Sequence, residues 1–185
     1  PGNGEFYFGI DNLERQTSRV ITSFVHGNVT YRNSHASIFP PYVIKEVEGI
    51  RVGIIGLGLI RLWHHSSDRL TLHDPVAIAK RYAHEIRSRV DLLIALTHIG
   101  VKNDSLVAAA VPELDLIVGG DSHTRLDQPS RITRSNGQGS VAIVQANHYF
   151  NFLGRVDLRM EQAKGSYRVK KIDGGLLPID GRIES

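Results

Sequence analysis

Residues 91–124, DLLIALTHIGVKNDSLVAAAVPELDLIVGGDSHT, restrict the fold of this chain more than any other stretch. The stretch opens on a short apolar run, 91–96, too rich in Leu and Ile for an exposed helix. A helix is predicted over 103–111, ended by Pro112, and a second apolar run follows at 114–118. Two short apolar runs separated by a helix read as a βαβ unit with both strands buried in a parallel sheet. Such crossovers are almost always right-handed, so both strands finish at one edge of the sheet. The polar residues collect there: Thr97 and His98 after the first strand, Asp121, Ser122 and His123 after the second. Open α/β sheets hold their ligands at that edge. Taken singly, His98 and His123 read as structural histidines and Asp121 as an Asx-turn residue. The sheet brings the strand ends together, and that geometry makes the two imidazoles and the carboxylate a candidate metal site.

The remaining residues set limits on that site. A chain of 185 residues fits one domain with one core. Its net charge is +3, and the basic residues are scattered, with no run longer than Val169-Lys170-Lys171. No nucleic-acid partner is expected from such a pattern. Cysteine is absent. Any metal must therefore use His, Asn, Asp or Glu, a donor set suited to Mn, Fe, Zn or Mg. A cysteine-free chain also fits an extracytoplasmic location. Neither a membrane-spanning run nor a signal peptide is found, so no membrane partner is expected. The opening Pro1-Gly2-Asn3 leaves room for a start further upstream.

In chain order, 1–9 reads as a glycine-rich loop with aromatics and 10–19 as a short helix with Asp11 near its start. Strand composition marks 20–29, and 31–37 is polar loop closed by Pro40-Pro41. Two β-branched runs, 42–47 and 50–57, flank Glu48-Gly49, a hairpin signal. The stretch 58–72, with Trp63 and the pair His64-His65, gives no clear pattern. Asp74-Pro75 caps a helix running to about residue 89, with Val76, Ile78, Ala79, Tyr82, Ala83 and Ile86 on one stripe. Beyond the βαβ unit, 125–139 reads as a long polar loop. Runs 141–145, 153–160 and 166–172 are predicted as closing antiparallel strands, and 174–185 as a tail or interdomain linker. The run from Gly53 to Arg61 contains a GxG after a strand, which offers a dinucleotide-binding alternative. Its third glycine is replaced by Arg61. His64, His65 and His73 read as loop histidines, and His148, beside Tyr149 and Phe150, as part of a packed aromatic corner.

Several blocks together resemble a known family. Asn3 in GNGE, His98 in THIG and His123 in GGDSHT resemble later signature blocks of the calcineurin-like metallophosphoesterases, in the 5′-nucleotidase and UDP-sugar hydrolase branch. The likeness continues, in the family's order, through FYFGIDNL, PPYVIKEVEGIRVGIIGL, LDLIVGG, the VQA strand and LGRVDL. It implies an α/β architecture of the sandwich type, mixed sheets with flanking helices forming part of a four-layer metallophosphoesterase sandwich. Residues 1–173 would be the later part of the catalytic domain. It also implies two divalent ions at the carboxyl ends of the strands. Asn3 and His98 resemble ligands of the second ion, and His123 a ligand of the first. Asp121 stands where the family keeps the first histidine of its last block, and a carboxylate can bind Mn or Mg there. Gly4 stands where the family keeps a histidine that assists the leaving group.

The family's Asp-x-His and Gly-Asp blocks are absent from these residues and are expected upstream, in a missing N-terminal half of the domain. Base recognition is implied to sit largely in a C-terminal substrate domain. The resemblance favours a periplasmic or secreted hydrolase of nucleotide catabolism, acting on phosphate esters of nucleotides or nucleotide sugars. For the separate chain, the expectation is weak or no activity. A degenerate binding module of the same fold stands as the second reading.

Overall fold

The structure, a computed structural model, describes residues 1–59, 68–163 and 165–180. Its centre is a six-stranded mixed sheet in the order β2-β3-β5-β6-β8-β7. Strand β2 (Tyr42–Val47) and β3 (Ile50–Gly58) form the expected hairpin. Its two-residue turn puts both Glu48 (φ 51°) and Gly49 (φ 80°) in the left-handed region, the conformation that suits the twist of paired strands. Next come β5 (Leu92–His98), α3 (Val101–Ala110) and β6 (Leu116–Val118). β5 pairs in parallel with both β3 and β6, so the βαβ unit is as the sequence predicts. Helix α2 (Pro75–Ile86) begins where expected, and the Asp74 carboxylate accepts a 2.8 Å hydrogen bond from the Ala77 N–H.

Three layers result. α2 and α3 cover one face of the sheet, burying Ala79, Ala83, Ile86, Val107, Ala108 and Val111 against Ile55, Leu93, Ala95, Ile117 and Ile143. A long hairpin of β9 (Phe152–Ala163) and β10 (Ser166–Pro178) covers the other, packing Val156, Leu158 and Ile172 against Ile94, Leu116 and Ala142. A smaller cluster of Phe6, Ile10, Leu13, Val29 and Leu70 ties α1 (Ile10–Thr17) to the short pair β1 (Val29–Tyr31) and β4 (Leu70–Leu72).

Four expectations are corrected. Residues 20–28 form no strand despite their β-branched composition; a strand needs a partner edge, and here Val20 and Ile21 face solvent. The polar loop 125–139 contains β7 (Ser130–Thr133), an edge strand whose alternating exposure lets Arg and Thr occupy it. β8 (Ser140–Val144) runs parallel to β6 and antiparallel to β7, so it is an interior strand of the main sheet rather than one of an antiparallel closing set. β10 continues through Pro178, because residues 174–178 pair with 152–156. Trp63, His64, His65 and Arg61 lie outside the described residues. Among those described, no helix is long and apolar enough to cross a membrane.

The GxG glycines of the dinucleotide alternative, Gly56 and Gly58, lie inside β3, paired with Leu96 and His98 of β5, instead of on a phosphate-cradling turn. They serve close packing: a side chain at Gly56 would collide with the Val25 carbonyl, and one at Gly58 with the His26 ring.

Candidate functional site

Strand alternation sets the first ligand candidate. Leu93, Ala95 and Thr97 point into the helix-covered core, so Ile94, Leu96 and His98 share the opposite face. His98 is the last residue of β5 and reaches the carboxyl edge with its side chain one-third exposed. Asn3, at the start of a 3₁₀ turn (Gly4–Phe6), folds back onto the same edge. Its Oδ1 lies 3.2 Å from His98 Nε2. Asp121 follows β6, and its Oδ1 is 3.6 Å from His98 Nε2 and 3.5 Å from Asn3 Nδ2. Three of the four ligand candidates therefore converge. Beside them a recess of about 220 Å³ is lined by Pro1, Gly2, Val25, Leu57, Thr97 and His98.

The His98 ring sits in a slot between two glycines. A Cβ at Gly2 or at Gly120 would stand 2.9 Å from ring atoms, so neither position admits a side chain without displacing the imidazole. The loop that carries Asp121 is pinned from below. Gln145, buried at the end of β8, donates from Nε2 to the Gly120 carbonyl (3.1 Å) and accepts from Ser122 Oγ (3.0 Å) and from the Thr124 N–H. Asp121 (φ 73°) and His123 (φ 54°) both hold left-handed backbone, which non-glycine residues adopt at a cost and which clusters at functional sites.

His123 belongs to a second group. Its ring stacks on His148 at 4.8 Å with planes 12° apart, and the Tyr149 ring lies 5.9 Å away. His148 is thus part of an aromatic cluster, as its neighbours suggest, yet Tyr149 and Phe150 are largely exposed rather than packed. At Gly4 a Cβ would meet only the Tyr7 ring, at 3.8 Å, so the position has room for the side chain it lacks.

Two buried groups beneath the edge have no counterpart in the sequence reading. Asp104, in the first turn of α3, accepts a 2.6 Å hydrogen bond from Thr97 Oγ1, while its Oδ2 is buried without a partner. Burial, with the Asp121 charge adding to it against the Thr97 hydrogen bond, pushes its carboxyl up to about 6. His26 is buried against Phe6 with neither ring nitrogen hydrogen-bonded. Burial, then the charged N-terminus, pushes the His26 imidazole down to about 3. A polar residue within an apolar helical face was the one sequence signal for Asp104.

Two atoms each ~2.1 Å from one ion lie roughly 3.0–3.4 Å apart in octahedral or tetrahedral arrangement. The Asn3, His98 and Asp121 atoms stand near that spacing, and their mixture of imidazole, amide and carboxylate is a fair donor set for a divalent ion. They amount to three donors only with the amide counted. Among the described residues no group of three or more His, Cys, Asp or Glu could hold a metal.

Comparison with known proteins places this architecture. The chain is similar to the trifunctional nucleotide phosphoesterase protein YfkN of Bacillus subtilis, 31% identical over 187 residues, which is 97% of this chain and 12% of that protein. A 5′-nucleotidase precursor from Thermus thermophilus superimposes with a TM-score of 0.82 at 26% identity, over 96% of this chain and 38% of that one. The crystal structure of the calcineurin-like phosphoesterase YfkN from Bacillus subtilis also gives 0.82, at 24% identity, over 100% of this chain and 64% of that one. No family model matches. The chain spans less than two thirds of the length of each of these relatives.

Proposed function

Because this chain belongs to the calcineurin-like metallophosphoesterase superfamily, in its 5′-nucleotidase branch, we propose that it is part of a metal-dependent phosphoric ester hydrolase acting on nucleotides or nucleotide sugars. The observation that carries the reading is the convergence of Asn3, His98 and Asp121 within 3.2–3.6 Å at the carboxyl edge of the sheet. These three would hold one divalent ion, of the Mn, Zn, Fe or Mg class. Such an ion supplies charge stabilisation at a phosphoryl oxygen and a more acidic water. The chain's own contribution is placement. Gly2 and Gly120 fix the plane of the His98 ring, and Gln145 fixes the loop from which Asp121 projects. His123 would serve another ion from where it stacks on His148, since an imidazole nitrogen's lone pair lies in the plane of the ring, and Gly4 offers no imidazole to a leaving group. Residues 1–173 are read as the later part of a catalytic domain, completed by an N-terminal half and a C-terminal substrate domain. An extracytoplasmic location goes with that reading.

The missing imidazole at Gly4 favours a second reading, a module that kept the fold and lost the chemistry. Titration with Mn²⁺ separates them. Under the first reading, Mn²⁺ at ~100-fold its dissociation constant stabilises the chain by about 2.7 kcal/mol, read as a higher melting temperature. Slow hydrolysis of p-nitrophenyl phosphate accompanies it, and both disappear in His98→Ala. A melting temperature indifferent to Mn²⁺, Zn²⁺ and Mg²⁺ would sink the first reading. Metal binding without hydrolysis at any metal would leave the second.

A further inference from the structure

At the amino end of the parallel strands, cations from two layers of the fold line one pocket of about 390 Å³. Arg131 of β7 and Arg134 just after it belong to the main sheet, while Lys170 and Lys171 come from β10 of the covering hairpin. Asp115 is the one carboxylate among the described residues that line it. That carboxylate accepts from the Leu93 N–H at 2.9 Å, and Leu93 stands five residues before His98 on β5. Asp115 is therefore roughly 16 Å from the candidate metal site. A β-bulge places the lysines. Val169 and Ile172 both pack toward the main sheet, yet they are an odd number of positions apart, and in a regular strand only even spacings share a face. Pairing steps from Val169 to Lys171 on β10 while it moves only from Met160 to Arg159 on β9, so Lys170 is the extra residue. Such bulges re-aim side chains and gather beside functional sites.

The cations here outweigh the acids that answer them. Asp115 is shared by Arg134 (3.1 Å) and Arg87 (2.8 Å), and Glu161 by Lys170 (3.3 Å) and Arg168 (2.9 Å). Lys171 pairs with Asp173 at 2.8 Å. Both lysines are exposed, and surface ion pairs of that kind are weak enough for a stronger acceptor to displace. Arg131 gives one N–H to the Ile172 carbonyl, and Arg134 keeps a buried Nε without an acceptor. A guanidinium is a planar fork of donors that fits phosphate oxygens bidentately. We infer that this pocket is an anion site for an oxyanion of the phosphate and pyrophosphate class, held by the arginines from the sheet and by the lysines from the hairpin. Pyrophosphate has two charged ends, one for each layer, and ties the hairpin to the sheet as it binds. The site is separate from the phosphoesterase reading: it uses none of Asn3, His98 or Asp121, and it needs no metal.

The test is calorimetric titration of the chain with inorganic pyrophosphate, and separately with inorganic phosphate, in metal-free buffer of fixed ionic strength. Pyrophosphate is expected to bind more tightly than phosphate, and its affinity to fall as NaCl is raised. Lys170→Gln/Lys171→Gln alters only exposed side chains and is expected to weaken pyrophosphate binding about tenfold. Arg131→Gln, which removes a fork of donors, is expected to cost at least about fivefold. Should Arg131→Gln disturb the fold by releasing the Ile172 carbonyl, the lysine variant alone carries the test. His98→Ala, at the far end of the strands, is expected to leave the affinity unchanged. No pyrophosphate binding by the parent chain, or binding unchanged in the lysine variant, overturns the proposal. A loss in His98→Ala without a loss in the lysine variant overturns it too, because the anion then sits at the carboxyl edge. The Mn²⁺ titration fails separately: a chain that ignores metal yet loses pyrophosphate on Lys170→Gln/Lys171→Gln keeps the anion site and loses the phosphoesterase reading.

Discussion

The two ends of the same parallel strands carry the same kinds of residue and treat them in opposite ways. At the amino end, Asp91 precedes β5 and Asp115 precedes β6. Asp91 accepts from the Arg51 N–H and guanidinium at 2.9–3.0 Å and from the Tyr167 N–H at 3.1 Å, which also fastens the β9–β10 hairpin to the sheet. The Arg51 guanidinium, opposed by burial, holds the Asp91 carboxyl well below the usual range. Asp115 accepts from Arg87, Arg134 and the Leu93 N–H at 2.8–3.1 Å. At the carboxyl end, Asp104 and His26 keep buried polar atoms without partners, and Asp121 and His123 sit on left-handed backbone. Arg134 Nε is the amino end's one unpartnered atom among those described. One edge spends its polar groups on holding the layers together. The other keeps them under-satisfied, as a site that must bind something requires.

The comparison breaks most decisively at Asp115. Asp115→Ala leaves the Arg134 guanidinium and the Leu93 N–H without their acceptor and the Arg87 guanidinium with only carbonyl partners, and removing one partner of such a network typically costs ~3–5 kcal/mol. Urea denaturation should show a loss of that order. A loss below about 1 kcal/mol would mean that the amino edge is no more structural than the other.

Asp104 tests the carboxyl edge by pH. Its folded carboxyl titrates near 6, above an ordinary aspartate, so the folded state binds more protons between about pH 4 and pH 6. Its contribution to stability is therefore fully present below about pH 4 and declines as pH rises through 6, by roughly 3 kcal/mol at most. His26 acts with opposite sign, since its depressed imidazole favours the folded state as pH rises from about 3 to 6.5. The readout is accordingly the difference between Asp104→Asn and the parent, which should grow in the variant's favour from pH 4 to pH 7. A difference flat with pH would show that the carboxyl is not desolvated.

A smaller effect is expected at Gly120, where a methyl group would sit 2.9 Å from His98 Nδ1 and 3.3 Å from the Thr97 carbonyl. Gly120→Ala should cost ~1–3 kcal/mol by overpacking. It should also tilt the His98 ring, visible as a shift of its imidazole resonances. An unchanged ring environment would show that the slot is looser than its dimensions.

The sequence carried the βαβ unit, the hairpin and the start of α2, because periodicity, turn residues and an Asp-Pro cap act locally. It placed His98 and Asp121 at one edge by topology alone. It could not bring in Asn3, which lies 95 positions from its imidazole partner; only likeness to a family singled that residue out. The His123–His148 stack was illegible for a related reason. It depends on left-handed backbone at residues 121, 123, 147, 149 and 150, and nothing in those residue types demands it. β7 went unread because an edge strand of Ser, Arg, Ile and Thr has the composition of a loop, and its pairing is decided by β8.

The sharpest form of the comparison is a substitution that should do almost nothing to the fold. His98 is one-third exposed, and the polar side chains beside it, Asn3 and Asp121, are candidates for the same ion. Truncating the ring leaves a surface notch open to water instead of a sealed cavity, so the heavy penalty of core truncation does not apply. Losing the Asn3 contact removes one hydrogen bond, ~1 kcal/mol or less at a partly exposed site. His98→Ala should therefore unfold within about 1 kcal/mol of the parent in metal-free buffer. With Mn²⁺ present the two should diverge by the whole of the metal's stabilisation. The same substitution would then be silent in one buffer and costly in the other, a pattern that a structural histidine cannot produce. A loss of several kcal/mol without metal would place His98 among the residues that hold the fold, and the two edges would no longer differ in kind.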